Sequence, residues 1–417
     1  MMLTGSYLIA HLATRWLAPY ADPVIMPAIA LINGIGVIFI WRLDLGFMEL
    51  DDRADASPFS GGGFRQGLWT LTAVVCFAVV LYVVRDHRVL ARLSYTAGFV
   101  GIGLVMLPAV LPARYSEVNG AKIWVTVAGF SVQPGEFAKL ALMVFFAAYL
   151  VAKRDVLSLA SKRFLGIDFP RGRDLGPVVA AWAASLLVLI FERDLGSSLM
   201  YFGIFIVMLY IATERTSWLL IGLGLFASGA IVAWQLFSHV QLRVSIWLDP
   251  FKDANGDGFQ IVQSLFGLGS GGLFGSGPGA GNPELLNQYA ASDFIFTTLG
   301  EELGLFGLVA LLMLYMLVAQ RGIRASLDVR DSFGKLLAGG LAFSLALQVF
   351  VIVGGVSKLI PLTGLTTPFL SMGGSSLVAN WCLVALLMRI SDSARRPIAR
   401  RPQTLQLRDA PTEMIRR

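Results

Sequence analysis

Ten stretches of this sequence, near residues 23–41, 68–84, 92–112, 137–152, 175–191, 194–213, 217–238, 303–320, 336–356 and 374–391, run apolar almost without interruption. Each has roughly the 17–25 residues that a helix needs to cross the hydrocarbon of a bilayer. Lipid offers no partner to a backbone N–H or C=O, so such stretches must close their hydrogen bonds within themselves as helices rather than as a barrel. The rest of the composition agrees: 56% of the 417 residues are hydrophobic and 14% charged, against about 25% charged in a soluble domain. The expected fold is all-α, a polytopic integral membrane bundle of ten helices over residues 22–391, with a large loop at 239–302 and a basic tail at 392–417. Residues 1–21 hold a shorter apolar stretch, Tyr7 to Leu17, broken by His11 and Arg15. It reads as a partial extra helix or simply as the start of the chain, not as a cleavable signal, because no positive segment precedes it.

Basic residues set the orientation. With the C-terminus in the cytoplasm, the inner connections collect Arg85, Arg88 and Arg92, then Lys153, Arg154, Lys162, Arg163, Arg171 and Arg173, then Arg321, Arg324, Arg330 and Lys335, and last the tail from Arg395. The positive-inside bias favours this sense, and it leaves 42–66, 113–136, 192–194, 239–302 and 357–373 facing outward. The formal charge of +6 is then a topology signal toward an anionic leaflet, and nucleic acid is not an expected partner. Cys76 and Cys382 both fall within spans, which argues against a structural disulfide or a zinc site.

The loop from His239 to Glu302 is too long for an idle connector. Ile261, Val262, Leu265, Phe266, Leu285 and Leu286 give it apolar stretches fit for re-entrant or interfacial helices, separated by glycine-rich turns from Gly267 to Gly281. Gly267, Gly269 and Gly272 satisfy GxGxxG, yet no strand-helix-strand pattern surrounds them, so they read as turns and not as a dinucleotide site. The run Asp253-Ala254-Asn255-Gly256-Asp257-Gly258 copies the opening of a calcium loop but meets Ser264 where a bidentate Glu belongs; a loose divalent-cation contact, Mg for example, and a solvated acidic turn both stay open. Neither GxxxxGK[ST] nor HExxH occurs, which removes the main support for nucleotide-driven transport and zinc hydrolysis. No inverted pair of halves supports a repeat-built transporter.

Charged groups at membrane depth are costly and are normally paired or functional. Here they gather at the outer ends of spans. Glu136 and Lys139 share a helix face, so a plain helix-stabilising pair stands beside a functional reading. Glu192, Arg193 and Asp194 fill a tight connection, while Arg243, Asp249, Asp293, Glu301 and Glu302 belong to the large loop and Lys122 and Lys358 to the others. Glu301 and Glu302 would suit a helix start, and Asp293, ahead of Phe294-Ile295-Phe296, would suit an N-cap.

The outer face has no nucleotide pool, so a bond-forming reaction there must draw on a group already activated, most simply on a lipid-linked diphosphate. Its polyprenyl tail would lie between helices and its diphosphate against Lys122, Lys139, Arg193 or Arg243. Asp293 would act as general base on an acceptor hydroxyl, a role worth roughly 10²–10⁴ in rate. Desolvation would raise its pKa and nearby cations would lower it.

Six runs, in order, carry a resemblance that covers roughly Asp22 to Ile390. They are Asn119-Gly120-Ala121-Lys122-Ile123-Trp124, Gln133-Pro134-Gly135-Glu136-Phe137-Ala138-Lys139-Leu140, Asp194-Leu195-Gly196-Ser197-Ser198, Gly258-Phe259-Gln260-Ile261-Val262-Gln263-Ser264, Asp293-Phe294-Ile295-Phe296 with Gly300-Glu301-Glu302-Leu303-Gly304, and Pro361-Leu362-Thr363-Gly364 through Pro368-Phe369-Leu370-Ser371-Met372-Gly373-Gly374-Ser375-Ser376. With the ten spans, these resemble the SEDS family (shape, elongation, division, sporulation), whose RodA and FtsW branches are peptidoglycan glycosyltransferases. The extra upstream stretch looks more like the RodA elongation branch.

The resemblance implies polymerisation of lipid II on the outer face of the cytoplasmic membrane. An acceptor sugar's 4-hydroxyl attacks the anomeric carbon of a lipid-linked donor, and undecaprenyl pyrophosphate leaves. Asp293 falls on the family's essential outer-loop aspartate, and Glu136 and Lys139 on its cavity pair. The substrate-binding set expected with them is Lys122, Arg193, Asp194, Arg243, Gln263, Glu301 and Ser371, with no metal ligand among them. The implied partner is a class B penicillin-binding protein, a transpeptidase. Gly135 stands where Ser is usual, Lys122 where Arg is common, Ile352 where Asn is expected, and Met372 where Tyr, Ser or Ala precedes the glycine pair; none of these removes a proposed catalytic group. A precursor flippase and an inactive scaffold are the alternatives. Charges clustered toward the outer face, rather than on both sides of mid-membrane, favour catalysis over transport.

Overall fold

The computed structural model describes residues 2–50, 61–118, 121–127, 129–157, 160–164, 167–170, 175–192 and 194–397. Arg193, Arg171, Arg173 and the tail beyond residue 397 lie outside them. Helix α1 (Met2–Leu17) is followed by α2 (Ile25–Leu50), α3 (Gly62–Val83), a short α4 (Arg88–Arg92), α5 (Ser94–Val110) and a single turn α6 (Ala113–Ser116). After α7 (Pro134–Leu157) come α8 (Gly176–Glu192), α9 (Leu195–Thr213) and α10 (Ser217–Leu236). The large loop folds into α11 (Ser238–Leu248) and α12 (Phe259–Gly271), each followed by a 3-10 segment, Pro250–Asp253 and Pro283–Ala291. Helices α13 (Ile295–Asp328), α14 (Ser332–Val356) and α15 (Gly374–Arg395) complete the chain.

Every expected span is matched by a helix. Eight of these are long and apolar enough to cross a membrane; the other two, α5 and α8, have 17 residues each. The stretch before residue 22 forms the continuous helix α1, packed along α3. Three two-stranded antiparallel hairpins occupy connections: β1 (Glu117–Val118) with β2 (Ala121–Lys122), β3 (Val125–Val127) with β4 (Phe130–Val132), and β5 (Ala160–Phe164) with β6 (Ile167–Pro170).

In lipid the helices gain little from burying apolar surface against one another, so close packing must hold them. At the α13–α14 contact a Cβ on Gly322 would come within 2.7 Å of the Ala342 Cβ, so only glycine lets these helices approach so far. Trp381 of α15 lies at the centre, edge-on to Phe77 at 5.5 Å and to Phe369 at 6.1 Å between ring centroids. Helices α14 and α15 are the most enclosed spans and α10 the most lipid-facing.

The eighth span departs from its expected bounds of 303–320. It begins at Ile295 and breaks at Gly304, whose φ of +67° no β-carbon-bearing residue adopts without strain. A broken helix in a membrane must find other partners for its freed backbone groups. The glycine-rich run supplies them: Leu305 and Phe306 N–H donate to the carbonyls of Gly272 and Leu273, and Ser276 and Gly277 N–H donate to those of Glu301 and Glu302. The GxGxxG match therefore has a structural meaning, a clasp around a helix break.

At the far end of the bundle Asp22 pairs with Arg395, and His87 bonds Asp331 at 2.9 Å. Asp22 belongs to the connection before α2 and Asp331 to the one between α13 and α14. The basic connections expected to face inward thus lie at the end opposite the large loop.

Candidate active site

The starts of α7, α9, α13 and α15 meet the ends of α5, α8 and α14 beneath the large loop, and most of the expected site residues converge there. Lys139 donates to Glu136 at 2.9 Å and to the Gln348 amide oxygen at 3.0 Å, and Gln348 in turn donates to the Thr366 carbonyl at 3.0 Å. Both members of the ion pair are buried. Neither charge is left alone, and α7 is tied through α14 to the loop ahead of α15. The cavity beside the pair holds only about 20 Å³, room for a water molecule and not for a sugar.

Asp194 is the N-cap of α9. Its carboxylate accepts from Gly196 N–H at 2.9 Å and from the Ser197 hydroxyl at 2.5 Å, so its hydrogen-bonding capacity is largely spent on its own helix. Burial pushes its carboxyl above the usual carboxylate range against the pull of the Ser197 contacts and the Arg243 charge.

Asp293 is not a helix cap. Phe294 takes that position and no side chain caps α13. Asp293 instead leaves a turn held on both sides: the Ser371 hydroxyl donates to the Ser292 carbonyl at 2.6 Å, Met372 N–H donates to the Ala291 carbonyl at 2.7 Å, and Ser292 and Phe294 N–H both donate to the Tyr289 carbonyl. Burial pushes the Asp293 carboxyl up to about 6, opposed by the Arg243 guanidinium and the Ser292 hydrogen bond and assisted by the Asp194 charge. The charge of Arg243, on α11, thus lowers the pKa of both carboxylates, and its guanidinium is anchored by donating to the Leu362 carbonyl at 2.5 Å. Of the two acids that feel the Arg243 charge, Asp194 is fixed as a cap, and Asp293, on a turn, has a pKa suited to accepting a proton near neutrality.

Ser371 also accepts the Thr367 N–H at 2.8 Å, so its hydroxyl is committed to shaping the Asp293 turn. Glu301 and Glu302 do not start a helix; they lie within α13 and bond the large loop, accepting from Asn282 N–H at 2.8 Å and Gly279 N–H at 2.9 Å. Arg42 of α2 pairs with Glu302 at 2.6 Å and also with Glu284, an anchor that sequence reasoning missed. Gln263 is half-buried on α12, while Gln260, one turn earlier, lines a cavity with Arg243. Lys122 sits on β2, its backbone paired with Glu117. Gln348, Tyr201 and Tyr289 were also missed. The polar glutamine within the otherwise apolar α14 was the available signal for the first.

Three of the four departures from the family pattern have a local setting that accommodates them. Met372 contributes its backbone N–H, which any non-proline residue supplies. Gly135 accepts the Tyr201 hydroxyl at its carbonyl, and a Cβ there would stand 3.0 Å from that oxygen. Ile352 is buried in the apolar core.

Among the described residues no group of three or more His, Cys, Asp or Glu side chains is arranged to hold a metal ion. In the calcium-loop-like turn, Asp253 accepts the Asp257 N–H at 3.1 Å.

An apolar groove of about 460 Å³ runs between α5, α7, α8 and α9, lined by Val105, Met106, Leu142, Phe145, Leu187 and Phe191, and it ends at Glu192 and Tyr201. Tyr201 also lines the small cavity that holds Glu136 and Lys139.

A family model described as cell cycle protein, of the FtsW, RodA and SpoVE type, matches residues 23–396. The peptidoglycan glycosyltransferase RodA of Mycobacterium tuberculosis is 52% identical over 409 residues, 98% of this chain and 86% of its own. A probable peptidoglycan glycosyltransferase FtsW of a Geobacter species is 33% identical over 90% of this chain and 97% of its own. A chain solved in work on the coordination of polymerization and crosslinking by a peptidoglycan synthase complex superposes with a TM-score of 0.70 at 25% identity, covering 90% of this chain and 99% of its own. A variant of the Thermus thermophilus rod shape determining protein RodA, at 22% identity and a TM-score of 0.61, shares the fold. On the order of its motifs and the span of these matches, the chain belongs to the FtsW, RodA and SpoVE family of multi-pass membrane proteins, the SEDS proteins, on their RodA branch.

Proposed function

We propose that this peptidoglycan glycosyltransferase polymerises lipid II at the outer face of the cytoplasmic membrane, with Asp293 as its general base. The observation that carries the reading is the Asp293 carboxylate on a turn fixed by Ser371, near enough to Arg243 to feel its charge, at the end of the bundle opposite the basic connections. The positive-inside bias puts that end outside.

The apolar groove between α5, α7, α8 and α9 takes the polyprenyl tail of the donor, and its end at Glu192 and Tyr201 brings the diphosphate toward the Asp194–Arg243–Asp293 cluster. The Asp293 carboxylate takes the proton of the acceptor 4-hydroxyl as that oxygen bonds to the donor's anomeric carbon. The bond from that carbon to the diphosphate breaks, and the polyprenyl diphosphate leaves with the electron pair. Arg243, beside both acids, offsets the negative charge that gathers as the diphosphate departs. A pKa of about 6 leaves Asp293 largely ionised at neutral pH while retaining basicity. The Glu136–Lys139–Gln348 set braces the start of α7 against α14 and meets substrate only where the small cavity beside it opens. A class B penicillin-binding protein, crosslinking the product, is the partner we assign to the bundle.

Purified full-length protein in liposomes with lipid II tests this. Glycan strands are the expected product. Translocation of lipid II without polymer would identify a flippase, and neither product in the presence of the transpeptidase would leave a scaffold.

A further inference from the structure

We propose that Asn33 of α2 and Gln66 of α3 are positioning residues for Asp293, and that the N-terminal helix α1 acts on the base through Tyr7; this rests on the reading of Asp293 as the base. The connection from α14 to α15, residues 357–373, contains no helix, yet residues from within the spans hold it. Tyr315 of α13 donates to the Pro368 carbonyl and the Asn33 amide to the Phe369 carbonyl at 3.1 Å. Gln66 donates to the Ser371 carbonyl at 3.0 Å and accepts the Gly373 N–H at 3.2 Å. Non-helical backbone at membrane depth is tolerated only where protein satisfies its polar groups. Three helices supply those partners here, each through one buried polar side chain.

The segment is kept in a shape that it would not hold alone. Phe369 takes a left-handed backbone conformation, φ +66°, and its ring is pinned edge-on against Trp381. A Cβ on Gly36 of α2 would stand 2.7 Å from the Leu370 Cα, so helix and segment are in backbone contact. A non-glycine residue persists in the left-handed region only where its surroundings over-determine it. The same segment is what holds the base. The Ser371 hydroxyl and the Met372 N–H donate to the carbonyls of Ser292 and Ala291, the two residues ahead of Asp293. Helix α1 joins because the Tyr7 hydroxyl donates to the Asn33 amide oxygen at 3.3 Å, which leaves the amide nitrogen of Asn33 turned to Phe369. The line runs from Tyr7 through Asn33, Phe369, Ser371 and Ser292 to Asp293, across α1, α2 and the segment ahead of α15.

Glycan-strand kinetics and hydrogen–deuterium exchange on the full-length protein in liposomes test the assignment. Asn33→Ala and Gln66→Ala should each lower kcat by about tenfold with KM little changed, as a base moved off its line of attack would. Tyr7→Phe keeps the ring, serves where Asn33→Ala fails to fold, and should lower kcat by about twofold, the loss of one part-buried hydrogen bond. In a Ser371→Ala background Asn33→Ala should cost no more than about twofold further, because the turn is already released, whereas independent sites would multiply to about a hundredfold. Amide exchange across residues 289–294 should quicken in all three variants while α9 and α10 keep their rates. Multiplying effects, or exchange at that turn equal to the wild type in every variant, would overturn the positioning role and leave Asp293 as base untouched. Tyr7→Phe at wild-type kcat and exchange would remove α1 from the line. A turn that loosens with kcat unchanged would instead bring down the reading of Asp293 as base, and this proposal with it.

Discussion

The Ser371 hydroxyl donates to the Ser292 carbonyl at 2.6 Å and thereby fixes the turn from which Asp293 projects. The same oxygen accepts the Thr367 N–H, so Ser371→Ala leaves a part-buried carbonyl and a buried N–H without this partner, a cost of about 1–3 kcal/mol. We expect a protein that folds but whose turnover falls by about tenfold, the consequence of a displaced base. Ser371→Thr, which keeps the hydroxyl, should recover most of that loss. A fall in kcat with KM little changed distinguishes positioning of the base from loss of a substrate contact.

Burial pushes the Asp293 carboxyl up to about 6, and the Arg243 charge opposes that rise. A general base works in its ionised form, so polymerisation should rise with pH through about 6 and level off above it. Removing the cation in Arg243→Gln takes away a lowering influence, and the midpoint should move to higher pH. A midpoint that stays fixed in the variant would mean that Arg243 does not tune the base.

Lys139 is shared between Glu136 and Gln348 in a buried setting. Breaking such a pair from one side is expected to cost about 3–5 kcal/mol, because the remaining charge is stranded. Lys139→Met should therefore lower the melting temperature sharply, and Glu136→Gln with Lys139→Met should restore much of it. Activity of the stable double variant separates a brace from a substrate contact: near-normal turnover supports the brace.

Arg42 meets Glu302 at 2.6 Å, and the Glu302 side chain has no exposure. Arg42→Ala should destabilise the protein by about 2 kcal/mol or more, discounted from a fully buried pair because Arg42 is partly exposed. The effect should be local. Limited proteolysis should open the glycine-rich run around Gly277 first, since Glu302 holds the Gly279 N–H there, while helices away from the loop keep their resistance.

The spans were legible because lipid leaves a chain no other way to satisfy its backbone, and the apolar runs mark where that constraint acts. The pairing of Glu136 with Lys139 was legible too, because helical spacing alone puts residues i and i+3 on one face. Its third member was not: Gln348 lies on α14, and no local pattern states that α7 and α14 touch. The eighth span was read from 303 because its first turns are polar, Thr297, Thr298, Glu301 and Glu302 among them, and all are buried beneath the loop. Burial by a distant segment, not by lipid, shields them, and hydropathy does not register that. Asp194, expected from sequence in the substrate-binding set, is a helix cap whose partners Gly196 and Ser197 are local. Arg42 and Glu302, from α2 and α13, show the limit again: long-range ion pairs depend on the packed topology.

The central claim is that Asp293 removes the acceptor proton. The direct measurement is glycan-strand formation from lipid II by purified wild-type and Asp293→Ala proteins, compared at equal amounts and with matched melting curves. Strands from the wild type and none from the variant are predicted, with both folded. Equal polymer from the two would contradict the account and remove Asp293 from the chemistry.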